Sequence, residues 1–183
     1  PLRFLRDHRF QGSSVLPASA YLEMALAASL EVFGKGFHAV ENVTFHQAAL
    51  VPEEGSLRVQ LIVTPASSGS AMFQVFSLNA DHAPGDWTLH ASGEIRISPE
   101  PARPVKSEST LQEIRARCLE QGIGQEFYSA LCERGLEYGP AFQGVESYCR
   151  GHQEALAQIH IAPSKNDDWE NYQIHPALLD ACL

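Results

Sequence analysis

Two residues near opposite ends of the chain have side chains suited to proton transfer, His8 and Asp180. A neutral imidazole is available near pH 7, so His8 could accept a proton. Asp180 lies in the largely apolar run 178–183, and apolar surroundings raise the pKa of a carboxyl group and can keep it protonated. Taken separately, His8 could therefore serve as a base and Asp180 as an acid.

Each of these residues also has a structural interpretation. A single histidine before a helix is commonly structural, and an aspartate in the first turn of a helix is stabilised by the helix dipole. His175, directly before Pro176, is better explained as a helix cap or as a support for the site than as a catalyst. The residues alone leave these alternatives open.

Other kinds of chemistry find little support in the sequence. The remaining histidines have no HExxH or CxxC companion, so we expect no metal site. No P-loop, GxSxG or GxGxxG motif is present. The four cysteines are scattered and have apolar neighbours, which is typical of reduced, structural residues.

The element that must position His8 is a helix predicted at residues 17–33. Pro17 suits the first turn of a helix, where its missing N–H is not needed, and Gly34 is a natural end. The residues between them are apolar on almost every face, so we expect this helix to be buried on nearly all sides. His8 and Gly12 are then expected on a loop at its amino end.

The residues that follow the helix read as strands. Runs 39–50, 56–64, 71–79 and 87–98 are β-branched or alternate in polarity, and turns are predicted at 65–69 and 81–86. We interpret them as an antiparallel meander. A sheet that curls around one central helix is the hot-dog arrangement, and it would bury this helix.

The second half of the chain repeats this pattern weakly. A Pro-rich linker is predicted at 99–110, helices at 111–120 and 125–134, a loop at 135–144, and strands at 145–149 and 154–162. The run 175–183 opens a helix with Pro-Ala, as the first helix does. We therefore predict two units, 1–98 and 111–183, the second of them incomplete.

The composition restricts the class of protein. The net charge is −9, from 22 acidic residues against 13 Lys and Arg, which argues against nucleic acid as a partner. No apolar run reaches membrane-spanning length, and no signal peptide is evident, so we expect a cytoplasmic protein without a membrane partner. The chain begins at Pro1 without Met, and we expect it to be part of a longer protein.

Three ordered motifs resemble the dehydratase domains of modular polyketide synthases. The segment 7–25, DHRFQGSSVLPASAYLEMA, resembles the family's HxxxGxxxxP motif through His8, Gly12 and Pro17. The segment 135–142, GLEYGPAF, resembles GYxYGPxF, with Leu136 in place of a tyrosine. The segment 175–183, HPALLDACL, resembles the start of the DxxxQ/H motif, whose last position would be residue 184.

This resemblance implies an α+β double hot-dog fold and removal of water from a β-hydroxyacyl thioester. It also implies that the substrate is carried on the phosphopantetheine arm of an acyl carrier protein and that no metal or redox cofactor is used. It makes His8 the general base and Asp180 the general acid, with His175 and Pro176 as supports. Expected substrate contacts, including stabilisation of the enolate oxygen, involve the following residues: Gly12, Pro17, Tyr138, Gly139, Pro140 and Phe142.

Several other functions share the expected fold. Related domains isomerise enoyl thioesters, close pyran rings or act as product-template domains, and a degenerate dehydratase could serve as a non-catalytic spacer. A hot-dog thioester hydrolase is a further alternative, but it would not explain the paired motifs. Neighbouring domains of a multienzyme are expected partners, and a homodimer is left open.

Overall fold

The computed structural model describes residues 2–78, 85–98, 110–160 and 169–183. The predicted linker lies outside these residues apart from position 110, and so does most of the turn predicted at 81–86. The strands of the described residues are β1 (His8–Phe10), β2 (Ser13–Ser14), β3 (Phe37–Phe45), β4 (Arg58–Ser67), β5 (Ser70–Leu78), β6 (Trp87–Ser98), β7 (Glu120–Ile123), β8 (Leu136–Tyr138), β9 (Val145–Arg150) and β10 (Ala155–Ile159). The α-helices are α1 (Ala18–Phe33), α2 (Leu111–Arg117), α3 (Gly124–Cys132) and α4 (Pro176–Ala181).

Helix α1 has the bounds that its flanking residues predict. Pro17 is extended, with φ −68° and ψ 153°, and the helix begins at the next residue. Gly34 ends it with φ +77°, and its N–H donates to the carbonyl of Leu30 over 2.8 Å. A residue without a side chain adopts this left-handed backbone at little cost.

The first sheet is antiparallel and packs against α1. Its strand order is β3-β6-β5-β4. The predicted meander is therefore correct for β4 to β6 and wrong for β3, which pairs with β6 at the far edge, with Val40 opposite Ile95. The alternation of a strand indicates which face is buried but not which strand lies beside it.

The core of this unit lies between the sheet and the first half of α1. Ala25, Phe73, Val75, Ala91 and Ile95 are fully buried there. The core residues from the sheet are alternate residues of β5 and β6, because successive side chains of a strand point to opposite faces. The expected burial of α1 on nearly all sides is wrong for its last turns, where the side chains at 27, 31 and 32 are exposed.

The segment that carries His8 is a strand rather than the expected loop. β1 and β2 form a hairpin whose two turn residues, Gln11 and Gly12, have φ +47° and +77°. Two positive φ values are the signature of a type I′ turn, which fits the twist of a hairpin. On its other side β1 pairs with β8, and His8 lies directly opposite Tyr138.

That pairing also corrects the loop predicted at 135–144. The Gly- and Pro-rich segment contains β8 and a 3₁₀ turn, Pro140–Phe142. Its glycines and proline suggested irregular backbone, but β1 supplies a partner strand from the start of the chain. Sequence periodicity cannot detect a pairing between segments so far apart.

The second sheet has the order β10-β9-β7. The helix predicted at 111–120 ends at Arg117, and β7 follows it, so the sequence missed this strand. Helix α3 packs against β9, where the hydroxyl of Tyr128 accepts a hydrogen bond from the N–H of Val145 over 2.9 Å. Helix α4 packs against α1 and links this half of the chain to the first unit.

The four cysteines are free. Cys118 and Cys149 are buried, and Cys132 and Cys182 are exposed, so a structural role fits only the first two. None of the described helices combines the length and the apolar character that crossing a membrane would require.

Candidate active site

His8 is held in one tautomer by a backbone carbonyl. Its Nδ1 lies 2.9 Å from the carbonyl oxygen of Val15. A carbonyl only accepts hydrogen bonds, so Nδ1 of the neutral ring carries the proton and Nε2 keeps its lone pair. The His8 side chain is about 11% exposed, and its Nε2 faces the buried side chain of Asp180.

The carbonyl that orients His8 is itself fixed by a neighbouring loop. The N–H of Leu16 donates to the carbonyl of Ala49 over 2.9 Å, and the N–H of Val51 donates to the carbonyl of Ser14 over 2.8 Å. The N–H of Val15 donates back to the carbonyl of His8 over 2.9 Å. The segment between Gly12 and Pro17 thus holds the imidazole through main-chain contacts on both sides.

Asp180 faces the free nitrogen of His8. One carboxyl oxygen, Oδ1, lies 3.9 Å from Nε2, and about 10% of the Asp180 side chain is exposed. Burial raises the pKa of this carboxyl above its ordinary value, while His8, Tyr138 and Ser19 act in the opposite direction. A carboxyl with a raised pKa holds its proton at higher pH and can act as an acid.

Tyr138 lies beside both members of the pair. Its ring centroid is 5.0 Å from that of His8, and its hydroxyl interacts with the carboxyl of Asp180. Burial and the charge of Asp180 raise the pKa of the Tyr138 phenol. The phenol therefore stays protonated and available as a hydrogen-bond donor.

Phe142 forms an aromatic wall behind these groups. It is 1% exposed, and its ring centroid lies 5.1 Å from that of His8 and 6.0 Å from that of Tyr138. It also contacts Phe4, at 6.1 Å between centroids. Phe142 was expected to contact the substrate. Its ring neighbours in the structure are Phe4, His8 and Tyr138, so it lies at the site.

Gly139 and Ala141, on either side of Pro140, hold the segment that leads into the strand of His8. The N–H of Gly139 donates to the carbonyl of Asp7 over 2.7 Å, and the N–H of Ala141 donates to Oδ2 of Asp7 over 2.9 Å. A Cβ on Gly139 would lie 2.6 Å from Cγ of Asp7, so only glycine allows this approach. Asp7 is a supporting residue that the sequence analysis missed.

The described contacts of Gly12 differ from the expected contact with an acyl chain. It is exposed in the hairpin turn, its carbonyl accepts from the Arg9 side chain, and its N–H donates to Oε1 of Glu137 over 3.1 Å. Its positive φ explains why glycine occupies the position. The turn positions the strand, and the N–H is already bonded.

Pro17 is fully buried at the start of α1. The first N–H groups of a helix have no partner within the helix, and they carry its positive dipole end. Ser19, in the first turn, was not singled out in the sequence. It is 0% exposed, its Oγ makes no hydrogen bond with the described residues, and it lies near enough to lower the pKa of Asp180.

His175 caps the helix that carries Asp180. Its Nδ1 accepts the N–H of Ala177 over 3.2 Å. Its ring stacks on Trp169 with centroids 4.2 Å apart and lies 4.7 Å from the ring of Phe4. Pro176 is buried as the first residue of α4. These contacts fit the cap and support expected for His175 and Pro176.

An apolar cavity of about 390 Å³ adjoins the same helices. Most of its wall is apolar, including Phe4, Leu16 and Pro176, and the charged residues Arg6 and Glu23 also line it. Leu16 and Pro176 are close in the chain to Ser19 and His175. The cavity has the character needed to hold an aliphatic chain.

Comparison with known sequences gives two family matches, one in each half of the chain. Residues 1–78 match a family described as polyketide synthase dehydratase domain, and residues 106–183 match one described as polyketide synthase dehydratase N-terminal domain. Polyketide synthase GfsE of Streptomyces halstedii is 32% identical over 98% of this chain, and mycoketide-CoA synthase of Mycobacterium tuberculosis is also 32% identical over 98%. The chain spans 5% and 4% of these two relatives.

Solved structures show the same likeness. The dehydratase domain from the CurF module of curacin polyketide synthase superposes with a TM-score of 0.86, at 30% identity over 98% of this chain and 63% of that one. Inactive mutants of the CurJ dehydratase (His to Phe) and the CurK dehydratase (Asp to Asn) match with TM-scores of 0.85 and 0.82, at 31% and 28% identity. They match over 99% and 98% of this chain, and over 60% and 61% of theirs. These likenesses confirm the predicted α+β double hot-dog fold.

Proposed function

This chain belongs to the dehydratase-domain family of polyketide synthases, and from that premise we propose that it eliminates water from a β-hydroxyacyl thioester. The observation that carries the proposal is the approach of the His8 ring to the buried carboxyl group of Asp180. Nε2, the ring nitrogen that does not contact the Val15 carbonyl, lies 3.9 Å from Oδ1, and burial raises the pKa of that carboxyl.

In the proposed reaction His8 takes the α-proton of the thioester on Nε2. Asp180 gives its proton to the β-hydroxyl, the C–O bond breaks, and water leaves with the oxygen electron pair. The product is the α,β-unsaturated thioester. A proton must then pass from His8 to Asp180 to reset the site. Nε2 of His8 and Oδ1 of Asp180 face each other at 3.9 Å, which makes the path short.

The surrounding residues support this chemistry in defined ways. The first turn of α1, after Pro17, would stabilise the enolate oxygen that develops on the thioester. The phenol of Tyr138 would orient the Asp180 carboxyl or the leaving hydroxyl. The apolar cavity would hold the acyl chain, and the protein residues would need no cofactor of their own.

The partners are also part of the proposal. The relatives are polyketide synthases, so we place the substrate on the phosphopantetheine arm of an acyl carrier protein, next to other domains of a multienzyme in the cytoplasm. Residues 1–98 would form the unit with the base and residues 111–183 the unit with the acid. The two inactive curacin mutants change a histidine and an aspartate, the same residue types as the pair described here.

The test uses the full-length protein that carries this sequence and a β-hydroxyacyl pantetheine thioester, with loss of water followed by mass spectrometry. His8→Phe keeps an aromatic ring beside Tyr138 and Phe142 but has no basic nitrogen. Asp180→Asn keeps the shape but has no transferable acid proton. Each should lower the rate by about 10²–10⁴-fold, the usual contribution of a general base or acid.

The matched controls are His152→Ala and Asp86→Asn, two exposed positions whose change should leave the rate unaltered. A folded His8→Phe protein that dehydrates at the normal rate would exclude the mechanism. A wild-type protein that shifts an enoyl double bond but never releases water would favour the isomerase alternative.

A further inference from the structure

A buried carboxylate on α1 holds the segment that leads into the acid helix. Glu23 is 5% exposed. Its Oε1 accepts the N–H of Gln173 over 2.8 Å, and its Oε2 accepts the N–H of Ile174 over 2.9 Å. We call residues 172–175 the strap, because they cross from the 3₁₀ turn Trp169–Asn171 to the start of α4.

These two bonds have an energetic consequence for the strap. A carboxylate taken out of water is costly unless its oxygens are hydrogen-bonded. Two consecutive backbone N–H groups directed at one carboxylate form a small anion-binding nest, and bonds to a charged acceptor are stronger than neutral ones. The side chains of Gln173 and Ile174 are exposed, so the middle of the strap is held through its backbone contacts with Glu23, between the packed rings of Tyr172 and His175.

The strap determines where Asp180 lies. It ends at His175, the N-terminal cap of α4, and Asp180 is the fifth residue of that six-residue helix. So short a helix has little stability of its own and takes its position from what its ends contact. Glu23 lies one turn along α1 from Ser19, the residue that approaches the Asp180 carboxyl.

We propose that Glu23 is a positioning residue for the general acid, holding α4 at the register that places Asp180 opposite His8. This inference rests on the proposed function. The hydrogen bonds of Glu23 go to the backbone of the strap, so we assign its effect to the position of the strap. A small displacement of a catalytic group can lower a rate by about 10²-fold.

The experiment compares two substrates that differ only in their need for an acid. A β-hydroxyacyl pantetheine thioester needs Asp180, because hydroxide is a poor leaving group. In the β-fluoroacyl analogue His8 takes the α-proton, the C–F bond breaks and fluoride leaves with the electron pair, so no acid is required. Fluoride release and water loss are measured on the same full-length protein, above the enzyme-free background.

We expect Glu23 variants to slow water loss but not fluoride release. Glu23→Ala should lower kcat for water loss by about 10–100-fold while fluoride release stays within about twofold of wild type. Glu23→Gln keeps one acceptor oxygen but turns an NH₂ toward one backbone N–H, so its loss should be smaller. The matched control is Glu31→Gln on the same helix, an exposed position that should change neither rate.

Each other outcome has a definite meaning. If Glu23→Ala slows both reactions equally, or neither, Glu23 does not position the acid and the inference is wrong. If Glu23→Ala does not fold, the same comparison on Glu23→Gln decides. Asp180→Asn must also keep fluoride release while losing dehydration. If it loses both, or if the wild type never dehydrates, the proposed function fails instead, and the inference falls with it.

Discussion

Asp180 is placed where a carboxyl group is difficult to ionise. Burial is the largest influence on its pKa and raises it, and the contacts with His8, Tyr138 and Ser19 only reduce that effect. A carboxyl whose pKa is higher in the folded than in the unfolded protein destabilises the fold once it is ionised. The property that suits Asp180 to donate a proton therefore has a cost in stability.

This argument gives a prediction for Asp180→Asn. The folded state holds the Asp180 proton more tightly, so wild-type stability falls as pH rises from the ordinary carboxyl value, about 4, through the raised value. Asparagine removes this dependence, so the variant should melt higher than wild type at pH 7, and the difference should shrink near pH 4. Thermal melts against pH measure this. A variant that melts lower at pH 7, beside an unchanged Asp86→Asn control, would contradict the prediction.

Ser19 gives a second prediction at this scale. Its hydroxyl lowers the pKa of Asp180, so Ser19→Ala should raise that pKa. A general acid works below its pKa, and the alkaline limb of the kcat profile should therefore move to higher pH. Ser29→Ala is the control, because Ser29 is equally buried on α1 but bonds to the carbonyl of Leu26. A limb that stays in place, or moves to lower pH, would rule out this role.

At the scale of elements, the site depends on the pairing of β1 with β8. Asp7, directly before β1, receives the N–H groups of Gly139 and Ala141, and His8 lies opposite Tyr138. Two motifs that are far apart in the chain are thus joined by hydrogen bonds. His8, the proposed base, occupies a fixed position because a paired strand carries it.

Substitution of two glycines tests whether the site depends on the pairing of β1 with β8. Gly139→Ala brings a Cβ within 2.6 Å of Asp7, so it should push β1 away from β8 and cost about 1–3 kcal/mol of stability. Gly12→Ala meets no atom within 4 Å and is strained only by its positive φ, a cost of about 1–2 kcal/mol. Both should melt lower, but only Gly139→Ala should lose dehydration by more than about tenfold. A Gly139→Ala protein that keeps dehydration as well as Gly12→Ala, within about tenfold of wild type, would show that the site tolerates this displacement of β1.

At the scale of the whole molecule, the two halves meet through a small aromatic cluster. Phe4, Phe142 and Ala177 are buried together, and they come from the start of the chain, the segment after β8, and α4. The β1–β8 pairing and the contact of α1 with α4 complete the connection. His8 and Asp180, the proposed base and acid, come from opposite halves, so any loosening of this junction should separate them.

Phe142→Ala tests the junction. Deleting a buried phenylalanine typically costs about 3–5 kcal/mol, and this one is 1% exposed. Phe45→Ala is the matched control. Phe45 is 49% exposed, so its substitution should lower the free energy of unfolding far less. Denaturant unfolding measures both, and the dehydration rate of the folded Phe142→Ala protein should fall as well. A cost no larger than that of Phe45→Ala would mean that the cluster does not hold the halves together.

The sequence by itself determined the local features of this protein. Pro17 and Gly34 fixed the ends of α1, and the alternating run 87–98 fixed β6, because both signals act through the backbone and side chains of the same segment. The three motifs also identified the family and directed attention to His8 and Asp180.

Only the tertiary structure decided what depends on distant neighbours. The position of β3 beside β6, the strand that carries His8 and the existence of β7 follow from hydrogen-bond partners that the local pattern does not specify. The proton on Nδ1 of His8 depends on the carbonyl of Val15, and the pKa of Asp180 depends on burial. Glu23 looked like a polar interruption in an apolar helix until the strap came to lie across it. In each case the deciding contact joins segments that only folding brings together, and no local periodicity or backbone preference encodes it.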